Sequence, residues 1–324
     1  MSRNITGPNI PLIPVGDKFY PYHLPIPCGR DHPENWVVCG APNRVSTFED
    51  LLDNFKIIQQ DPMHEREFKI GIGKYKDVEI GVGSSGIGTD NTEIFLRELN
   101  IIHEYDPVKK IWTRKSEDGT WFSFNEFSDF NPLNIIRVGT SGSPNSTVKL
   151  PSIAISEYAI GFDNTGNFLK SEYDEDLSSF LKKAKKELRM VEYVSRGTES
   201  IFKELKQSVR NIDNDLASYS GITASSPGFY ECQGRAIGIF ADHMTYPNMV
   251  DDLNKFSYKG RKVVNWEMET SCLFDSASIP DYRTGSVCAV LGNRVDDTIA
   301  SPEDIGRSVE MAAKVALETL TSLA

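Results

Sequence analysis

The sequence predicts an α/β protein in which a β-sheet is covered by helices on both faces. Apolar runs of strand length alternate with amphipathic helical patterns along most of the 324 residues, and this alternation is typical of α/β folds. Hydrophobic residues make up 39% and charged residues 25% of the chain, the balance of an ordinary globular protein. No repeat and no linker divides the chain. We therefore expect one domain, although the length alone suggests about two.

Acidic residues outnumber basic ones by 46 to 35, which gives a net charge of −11. Such a surface argues against general binding to nucleic acid or anionic membrane, and the lysines within 182–186 are interpreted as the solvated face of a helix. The five scattered cysteines form no C-x-x-C motif, a pattern typical of reduced cytosolic thiols. Neither a signal peptide nor a run of about 18 apolar residues is visible. We therefore expect a cytoplasmic protein with small-molecule partners.

The first third of the chain is predicted to supply an arm, three strands and two helices. Residues 1–35 are rich in proline and should form an extended arm without helix. The apolar stretch 36–39 is the first buried strand, and a helix capped by Ser46 or Thr47 follows it. The apolar positions of that helix have a 3.6-residue period and are Phe48, Leu51, Leu52, Phe55 and Ile58. Two glycine-rich strands, FKIGIG and VEIGVG, then lead through GSSGIGTDN into a helix over 92–102.

Residues 103–133 interrupt the pattern and are predicted to be an insertion with a hairpin around Asp118-Gly119. Beyond it, strands and helices alternate again. The C-terminal helix should begin with Ser301 as N-cap and Pro302 in the first position. The predicted organisation is thus an arm at 1–35 and one domain at 36–324. The other predicted strands are 134–139, 152–162, 220–226, 263–265 and 285–292, and the other predicted helices are 176–194, 198–209 and 266–278.

One glycine motif suggests a different class of enzyme. Gly81-x-Gly83-x-x-Gly86 follows a strand and precedes a helix, which is the outline of a dinucleotide-binding fingerprint. The helix starts near Asp90, however, and this carboxylate would stand where a pyrophosphate needs free N–H groups. A nicotinamide oxidoreductase therefore stays an outside alternative. The sequence contains no H-E-x-x-H motif, which would indicate a zinc hydrolase, and no G-x-S-x-G motif, which would indicate an α/β-hydrolase.

Four loop segments combine small residues with an arginine or a glutamate. They are 40–44, 83–91, 137–142 and 265–269. Glycine lets backbone N–H groups approach an anion, the arginines offer bidentate geometry for phosphate oxygens, and the glutamates can accept hydrogen bonds from sugar hydroxyls. The alternative interpretations are an arginine paired with a glutamate at the edge of the core and acids in the first turn of a helix. The donors and acceptors in question are Arg44, Arg137, Thr140, Ser141, Glu267 and Glu269.

Taken in order, these motifs resemble the nucleoside phosphorylase family, and within it the uridine phosphorylases. The likeness runs from residue 23 to residue 294. G-A-P-N-R at 40–44 is similar to the family's G-D-P-x-R phosphate loop, with Ala41 in place of Asp. The segments E-R-E-F, G-I-G, R-V-G-T-S-G and E-M-E match at 65–68, 86–88, 137–142 and 267–269. The resemblance implies a three-layer α/β/α sandwich around a mixed twisted sheet.

The resemblance also implies roles for residues of this sequence. His23 would reach the ribose 5′-hydroxyl across a subunit interface, and Arg66 would enter the phosphate site of a neighbouring subunit, so at least a homodimer with shared sites is expected. The implied phosphate contacts are Gly40, Arg44, Arg66, Arg137, Gly139 and Thr140. The implied ribose contacts are His23, Glu267, Met268 and Glu269.

The base pocket is implied by the segment F-Y-x-x-Q-x-R at 229–235, which is similar to that of uridine phosphorylases. A carboxamide offers both a donor and an acceptor to an imide edge, while a guanidinium offers only donors. Purine phosphorylases of this fold carry an acid where this sequence has Asn293, and an amide cannot deliver a proton. The implied base contacts are Phe229, Gln233, Arg235, Asn293 and Arg294, and the implied catalytic residues are Arg137, Gln233 and Arg235.

The activity implied is phosphorolysis of uridine to uracil and ribose 1-phosphate, with phosphate as co-substrate and no cofactor. A cation site between subunits is implied at Glu67, although Asn91 replaces the usual serine there. The alternatives are a purine nucleoside phosphorylase, a nucleoside hydrolase and a non-catalytic nucleoside-binding protein. The substitution at Ala41 is what supports the last of these.

Overall fold

The computed structural model describes residues 10–29, 31–58, 66–127, 130–212 and 216–323. The described part of the N-terminal arm contains no helix. It forms an antiparallel hairpin of β1 (Leu12–Val15) and β2 (Lys18–Pro21). After the hairpin, Leu24 and Ile26 are buried, so the arm contributes to the core.

A mixed, twelve-stranded sheet forms the centre of the molecule. Its strand order is β13-β14-β12-β10-β15-β9-β3-β6-β5-β4, with β11 beside β10 and β16 beside β15. The strands are β3 (Asn35–Cys39), β4 (Asp53–Ile57), β5 (Ile70–Tyr75), β6 (Val78–Ser84), β9 (Asn134–Ser143), β10 (Ser152–Gly161), β11 (Tyr193–Arg196), β12 (Ala217–Ser225), β13 (Ser257–Tyr258), β14 (Arg261–Glu267), β15 (Arg283–Asn293) and β16 (Thr298–Ile299). Strands β7 (Tyr105–Asp106) and β8 (Ile111–Trp112) pair separately.

Helices cover both faces of this sheet. Against one face, helices α4 and α7 bury residues such as Leu205 and Leu320. Against the other, α2 and α6 bury Leu99 and Phe274. The molecule is therefore the expected three-layer α/β/α sandwich, and no helix of the described residues could span a membrane. The helices are α1 (Pro42–Ser46), α2 (Thr89–Glu104), α3 (Glu175–Glu187), α4 (Glu199–Ile212), α5 (Met249–Lys255), α6 (Thr270–Ser278) and α7 (Pro302–Leu323).

The topology brings several strand ends to one place. Strands β3, β6, β9 and β15 run parallel to one another, so their carboxyl ends lie at one edge of the sheet, where α/β proteins commonly bind ligands. Strand β14 runs in the opposite sense and reaches the same place, because Trp266 pairs with Gly142 at the end of β9. The loops after these five strands therefore converge.

The helix predicted after Ser46 or Thr47 is wrong. Ser46 is the last residue of α1, and Phe55 belongs to the edge strand β4. Phe55 lies over the bare backbone of β5, where a Cβ on Gly71 would stand 2.1 Å from the Phe55 ring. The apolar spacing thus reflects packing of a turn and a strand on the sheet, and its helical period is coincidental.

The predicted helix over 176–194 is too long. Helix α3 ends at Glu187, and β11 begins at Tyr193. The strand predicted over 134–139 is too short, since β9 continues to Ser143. The C-terminal helix begins as predicted, with the backbone N–H of Asp304 donating to Ser301 Oγ at 3.2 Å.

The segment predicted to be an insertion is anchored to the end of α2 by a buried ion pair. Arg114 Nε donates to Glu104 Oε2 at 2.9 Å, and both side chains are buried. The same guanidinium lies 3.9 Å from the centre of the Phe124 ring. An antiparallel bridge joins Lys115 to Trp121 around the predicted turn, while the β7–β8 hairpin lies before it.

Candidate active site

Arg137 lies at the centre of the converging loops. Its guanidinium is buried and contacts Glu267 Oε2 at 3.2 Å, Glu269 Oε2, and Cys288 Sγ at 3.0 Å. Burial alone would lower the pKa of Arg137, but the two carboxylates outweigh it and the pKa is raised. Arg137 is therefore a fixed cation. A Cβ at Gly139 would stand 1.8 Å from Arg137 Nη1, so glycine is needed there for the guanidinium to reach its partners.

Glu269 connects three parts of the site. Its Oε1 accepts from the backbone N–H of Gly88 at 2.8 Å, and its Oε2 accepts from Arg137 and from the backbone N–H of Met268 at 3.2 Å. Gly88 precedes the first residue of α2. The carboxylate thus fixes the start of α2 against Arg137, at the position where the sequence predicts a ribose contact.

Glu267 has a different set of contacts. It accepts from Ser225 Oγ at 2.5 Å, from Thr270 Oγ1 at 2.9 Å, and from the backbone N–H groups of Glu269 and Thr270 at 3.0–3.1 Å. These donors lie at the N-terminus of α6, so Glu267 caps that helix. Through these bonds and its ion pair with Arg137, Glu267 holds the N-terminus of α6 against Arg137.

The predicted phosphate loops lie beside Arg137 and carry unpaired donors. The Arg44 guanidinium makes no hydrogen bond or ion pair with the described residues, and burial, followed by the charge of Arg137, lowers its pKa. The Ser141 hydroxyl is buried without a hydrogen-bond partner in the described part of the chain. Thr140 is half-buried, and Gly40 accepts from the backbone N–H of Gly86 at 2.9 Å. A buried hydroxyl without a partner is rare in proteins. Together with the half-buried guanidinium of Arg44, the Ser141 hydroxyl fits a site that binds an anion.

The predicted base contacts form a second group. Arg235 Nη1 donates to Gln233 Oε1 at 2.7 Å and to the carbonyl of Phe229, and the guanidinium lies 3.7 Å from the centre of the Phe229 ring. Gln233 is buried, while Phe229 is 51% exposed. Burial and the positive charge of Arg294 lower the pKa of Arg235. This arrangement holds a carboxamide and a guanidinium side by side next to an accessible aromatic face.

Arg294 links this group to the phosphate loops. Its Cγ and Cδ lie 3.5 Å from the position a Cβ on Gly142 would take. Asn293, the neighbouring residue, donates to the carbonyls of Asn145 and Val148 at 2.9 Å. Its oxygen accepts from the backbone N–H of Val295, also at 2.9 Å. The amide of Asn293 is thus occupied by protein groups and holds the loop that carries Arg294.

The remaining three predicted site residues also make no contact with Arg137 within the described part of the chain. His23 contacts Glu98 on α2 instead, with 2.7 Å between Nδ1 and Oε1. Arg66 is exposed. Glu67 lies beside Gly86, where a Cβ would stand 2.8 Å from its Cγ. No group of three His, Cys, Asp or Glu within the described residues could hold a metal ion.

Three other contacts of the site were not predicted. They are the backbone N–H of Gly88, the thiol of Cys288 and the hydroxyl of Ser225. Cys288 lies opposite Gly139 in the parallel β9–β15 pair, and Ser225 lies opposite Glu267 in the β12–β14 pair. Such neighbours depend on strand register, which no local pattern of this sequence specifies. Gly88 lies in the glycine-rich loop 83–91, but its partner Glu269 lies 181 positions away in the sequence.

A cavity of about 720 Å³ lies away from these residues, at the other end of β15 beside Arg283 and Thr284. Several of its charged groups neutralise one another. Arg261 pairs with Glu157 at 2.7 Å, and Lys203 pairs with Glu199 at 2.6 Å. The unpaired donors around Arg137, rather than the size of this cavity, identify the candidate site.

Comparison with known proteins decides the family. The phosphorylase superfamily model matches residues 36–324. The chain belongs to this superfamily. The resemblance drawn from the motifs is thereby confirmed, and so is the fold. The crystal structure of a Trypanosoma brucei nucleoside phosphorylase that shows uridine phosphorylase activity superposes with a TM-score of 0.83 at 28% identity, covering 96% of this chain and 99% of that one.

Two curated relatives of this phosphorylase chain differ in the base they are named for. A uridine phosphorylase of Thermococcus kodakarensis is 27% identical over 314 residues, which is 96% of this chain and 89% of the relative. A guanosine phosphorylase of Halorubrum lacusprofundi is 22% identical over 308 residues, 93% of this chain and 98% of the relative. The names of these two relatives therefore do not decide between a pyrimidine and a purine.

Proposed function

We propose that this phosphorylase cleaves uridine with phosphate, giving uracil and ribose 1-phosphate in a reversible reaction of pyrimidine salvage. The observation that carries the proposal is the Gln233–Arg235 pair held at 2.7 Å beside the Phe229 ring. A carboxamide can donate and accept at the imide edge of uracil, and the guanidinium can donate to a carbonyl oxygen. The ring of Phe229 offers a face on which the base can stack.

The proposed chemistry is positioning and electrostatic stabilisation. The bond from C1′ to the base nitrogen N1 breaks, and its electron pair leaves with the uracil. Arg235 and Gln233 stabilise the resulting anion at its carbonyl groups, and the anion takes up a proton to give uracil. An oxygen of the phosphate then forms the new bond to C1′, where positive charge has developed. Glu269 and the backbone of Met268 hold the ribose 2′- and 3′-hydroxyls, and no covalent enzyme intermediate is needed.

The charges of the site support sharing of active sites between two subunits. The carboxylates of Glu267 and Glu269 offset much of the positive charge of Arg137 and Arg44, although burial raises the pKa of Glu267. These four residues alone therefore attract a phosphate dianion only weakly. The hydroxyls of Thr140 and Ser141 and backbone N–H groups add donors without charge. We propose that the partner subunit's Arg66 supplies the missing positive charge, which makes a homodimer the smallest active unit.

The position of His23 supports the same proposal. His23 is held by Glu98, ten residues along α2 from Gly88, whose backbone N–H binds Glu269. At 1.5 Å per helical residue, these backbone positions are about 15 Å apart. This separation is longer than a ribose, which supports a role for His23 at the site of a second subunit rather than at its own.

A purine nucleoside phosphorylase is the second candidate, favoured by the guanosine phosphorylase among the relatives. We infer that a pyrimidine is preferred, because Asn293 cannot supply a proton to a purine ring and its amide is already hydrogen-bonded to protein groups. No cofactor is proposed beyond phosphate as co-substrate. We also propose that a cation binds at the subunit interface near Glu67. The proposed location is the cytoplasm, which suits the five free cysteines.

Base release from uridine and from inosine, each with and without phosphate, tests the function. We expect uracil to appear only with both uridine and phosphate. Release without phosphate would favour a hydrolase, faster release from inosine would favour the purine enzyme, and uridine binding without turnover would favour a non-catalytic protein.

Subunit mixing tests the shared site. Arg66→Ala and Arg137→Ala homodimers should each be inactive, whereas mixed dimers should regain activity because one of their two sites carries both arginines. The matched control mixes Arg137→Ala with Arg44→Ala, which should also be inactive by itself. This mixture should give no recovery, since both arginines belong to the same subunit's half of the site. Recovery in neither mixture would contradict sharing through Arg66.

A further inference from the structure

Glu98 holds His23 through both its backbone and its ring. The carboxylate accepts from the backbone N–H of His23 at 2.8 Å and from that of Leu24 at 2.7 Å. Its Oε1 lies 2.7 Å from His23 Nδ1. Glu98 is 5% exposed, so this is a buried carboxylate whose donors come from the arm. On its other sides the His23 ring contacts the rings of Tyr22 and Phe68, with centroids 4.9 Å and 5.3 Å away.

This contact determines which ring nitrogen of His23 carries hydrogen. An ionised carboxylate only accepts hydrogen bonds, so Nδ1 must donate to Glu98. In the neutral imidazole Nε2 is then left with its lone pair and can accept a hydrogen bond from a hydroxyl. Carboxylates that fix the tautomer and orientation of a functional histidine in this way are common in protein sites.

We propose that Glu98 is a positioning residue that sets the tautomer and orientation of His23, so that Nε2 accepts a hydrogen bond from the 5′-hydroxyl of the nucleoside. This inference rests on the proposed function and adds to it the residue that positions His23 for the 5′-hydroxyl contact. Because Glu98 also anchors the backbone of the arm, one carboxylate on α2 fixes both the position of His23 and which of its ring nitrogens carries the hydrogen.

The same helix connects two sites. Its N-terminal end is fixed by the contact between Gly88 and Glu269 in the site of its own subunit. Its body carries Glu98 and, through it, the histidine for the partner's site. Helix α2 is thus the rigid element that sets the spacing between one ribose site and the 5′-hydroxyl acceptor of the other.

The kinetic test compares uridine with 5′-deoxyuridine, which lacks the hydroxyl. Glu98→Gln keeps the size of the side chain but places an amide against the three donors. We expect kcat/KM for uridine to fall about tenfold, the value of one neutral hydrogen bond, while kcat/KM for 5′-deoxyuridine stays unchanged. His23→Ala should give the same pattern, and the double variant should lose no more than either single one. Glu93→Gln, in a half-exposed ion pair with Arg97 on the same helix, is the matched control and should change neither substrate.

An equal loss on both substrates would show that Glu98 only supports the fold and would overturn the proposal, as would no loss on either. Nitrogen NMR of the histidine rings in the unmodified protein gives an independent answer. We expect the Nδ1–H form of His23, and its replacement by a mixture of forms in Glu98→Gln. The Nε2–H form in the unmodified protein would overturn the proposal. If the unmodified protein does not cleave uridine, the proposed function fails, and the NMR result alone decides the role of Glu98.

Discussion

The guanidinium of Arg137 lies against the backbone of Gly139, where a Cβ would stand 1.8 Å from Nη1. This close approach lets one arginine contact Glu267, Glu269 and Cys288 together. Gly139 thus contributes to the site because the absence of a side chain leaves room for the guanidinium. Any larger residue there must displace the central cation of the site.

Gly139→Ala is expected to lower kcat/KM for phosphate about 10²- to 10³-fold, the usual effect of losing one stabilising donor. Steady-state rates with phosphate varied at saturating uridine measure it. Gly306→Ala is the matched control, because a Cβ there meets no atom within 4 Å, and it should keep full activity. Wild-type phosphate dependence in Gly139→Ala would contradict the placement of Arg137.

Arg235→Ala should impair use of the nucleoside far more than use of phosphate. The guanidinium contacts Gln233 and the Phe229 ring but no residue of the phosphate loops. We expect uridine turnover to fall about 10²- to 10³-fold with the apparent affinity for phosphate nearly unchanged. Separate titrations of the two substrates distinguish these effects. Comparable losses on both would show that Arg235 does not act on the base.

Asp275 is expected to make stability fall as the pH rises. Burial raises the pKa of its carboxyl from 3.8 to about 6, and its Oδ2 has no hydrogen-bond partner in the described part of the chain. The folded state holds this proton more tightly than the unfolded chain, so the group destabilises the fold from about pH 4 upward, by up to about 3 kcal/mol above pH 6.

Asp275→Asn should therefore raise the melting temperature at about pH 8 and change it much less at about pH 4. Thermal melts across this range test it. Asp77→Asn, at an exposed turn, is the control and should not alter the pH dependence. Parallel curves for Asp275→Asn and the unmodified protein would be evidence against a raised pKa of the buried Asp275 carboxyl.

Arg114→Leu should destabilise the protein by about 3–5 kcal/mol, because it leaves the buried carboxylate of Glu104 without its cation. Urea unfolding measures the loss. Lys109→Ala removes an exposed ion pair with Asp106 at 3.4 Å and should cost less than about 1 kcal/mol. Equal effects of the two substitutions would mean that the insertion is not anchored through Arg114.

Much of the fold could be predicted because strand and helix patterns are local. The runs around Ile72, Ile136 and Ile155 became strands, and Ser301 and Pro302 began α7 as expected. The pattern around Phe55 failed, since the bare backbone of Gly71 draws that ring onto a strand. Contacts of this kind depend on which strands are neighbours, and short-range spacing does not carry that information.

The candidate site was predictable to the extent that motifs mark strand ends. Arg137 and Glu269 come together because β9 and β14 end at the same place. The roles assigned to His23 and Arg66 came from resemblance and remain predictions. Cys288 and Glu98 were missed, because a thiol in a strand and an acid in a helix are ordinary features until their neighbours are known.

Phosphorus NMR of the reaction products tests the central proposal most directly. With uridine and inorganic phosphate, we expect a ribose 1-phosphate signal to grow at the rate at which uracil appears, and uridine to form again when the two products are supplied. Uracil release without any sugar phosphate, or no reaction of uridine at all, would contradict the account.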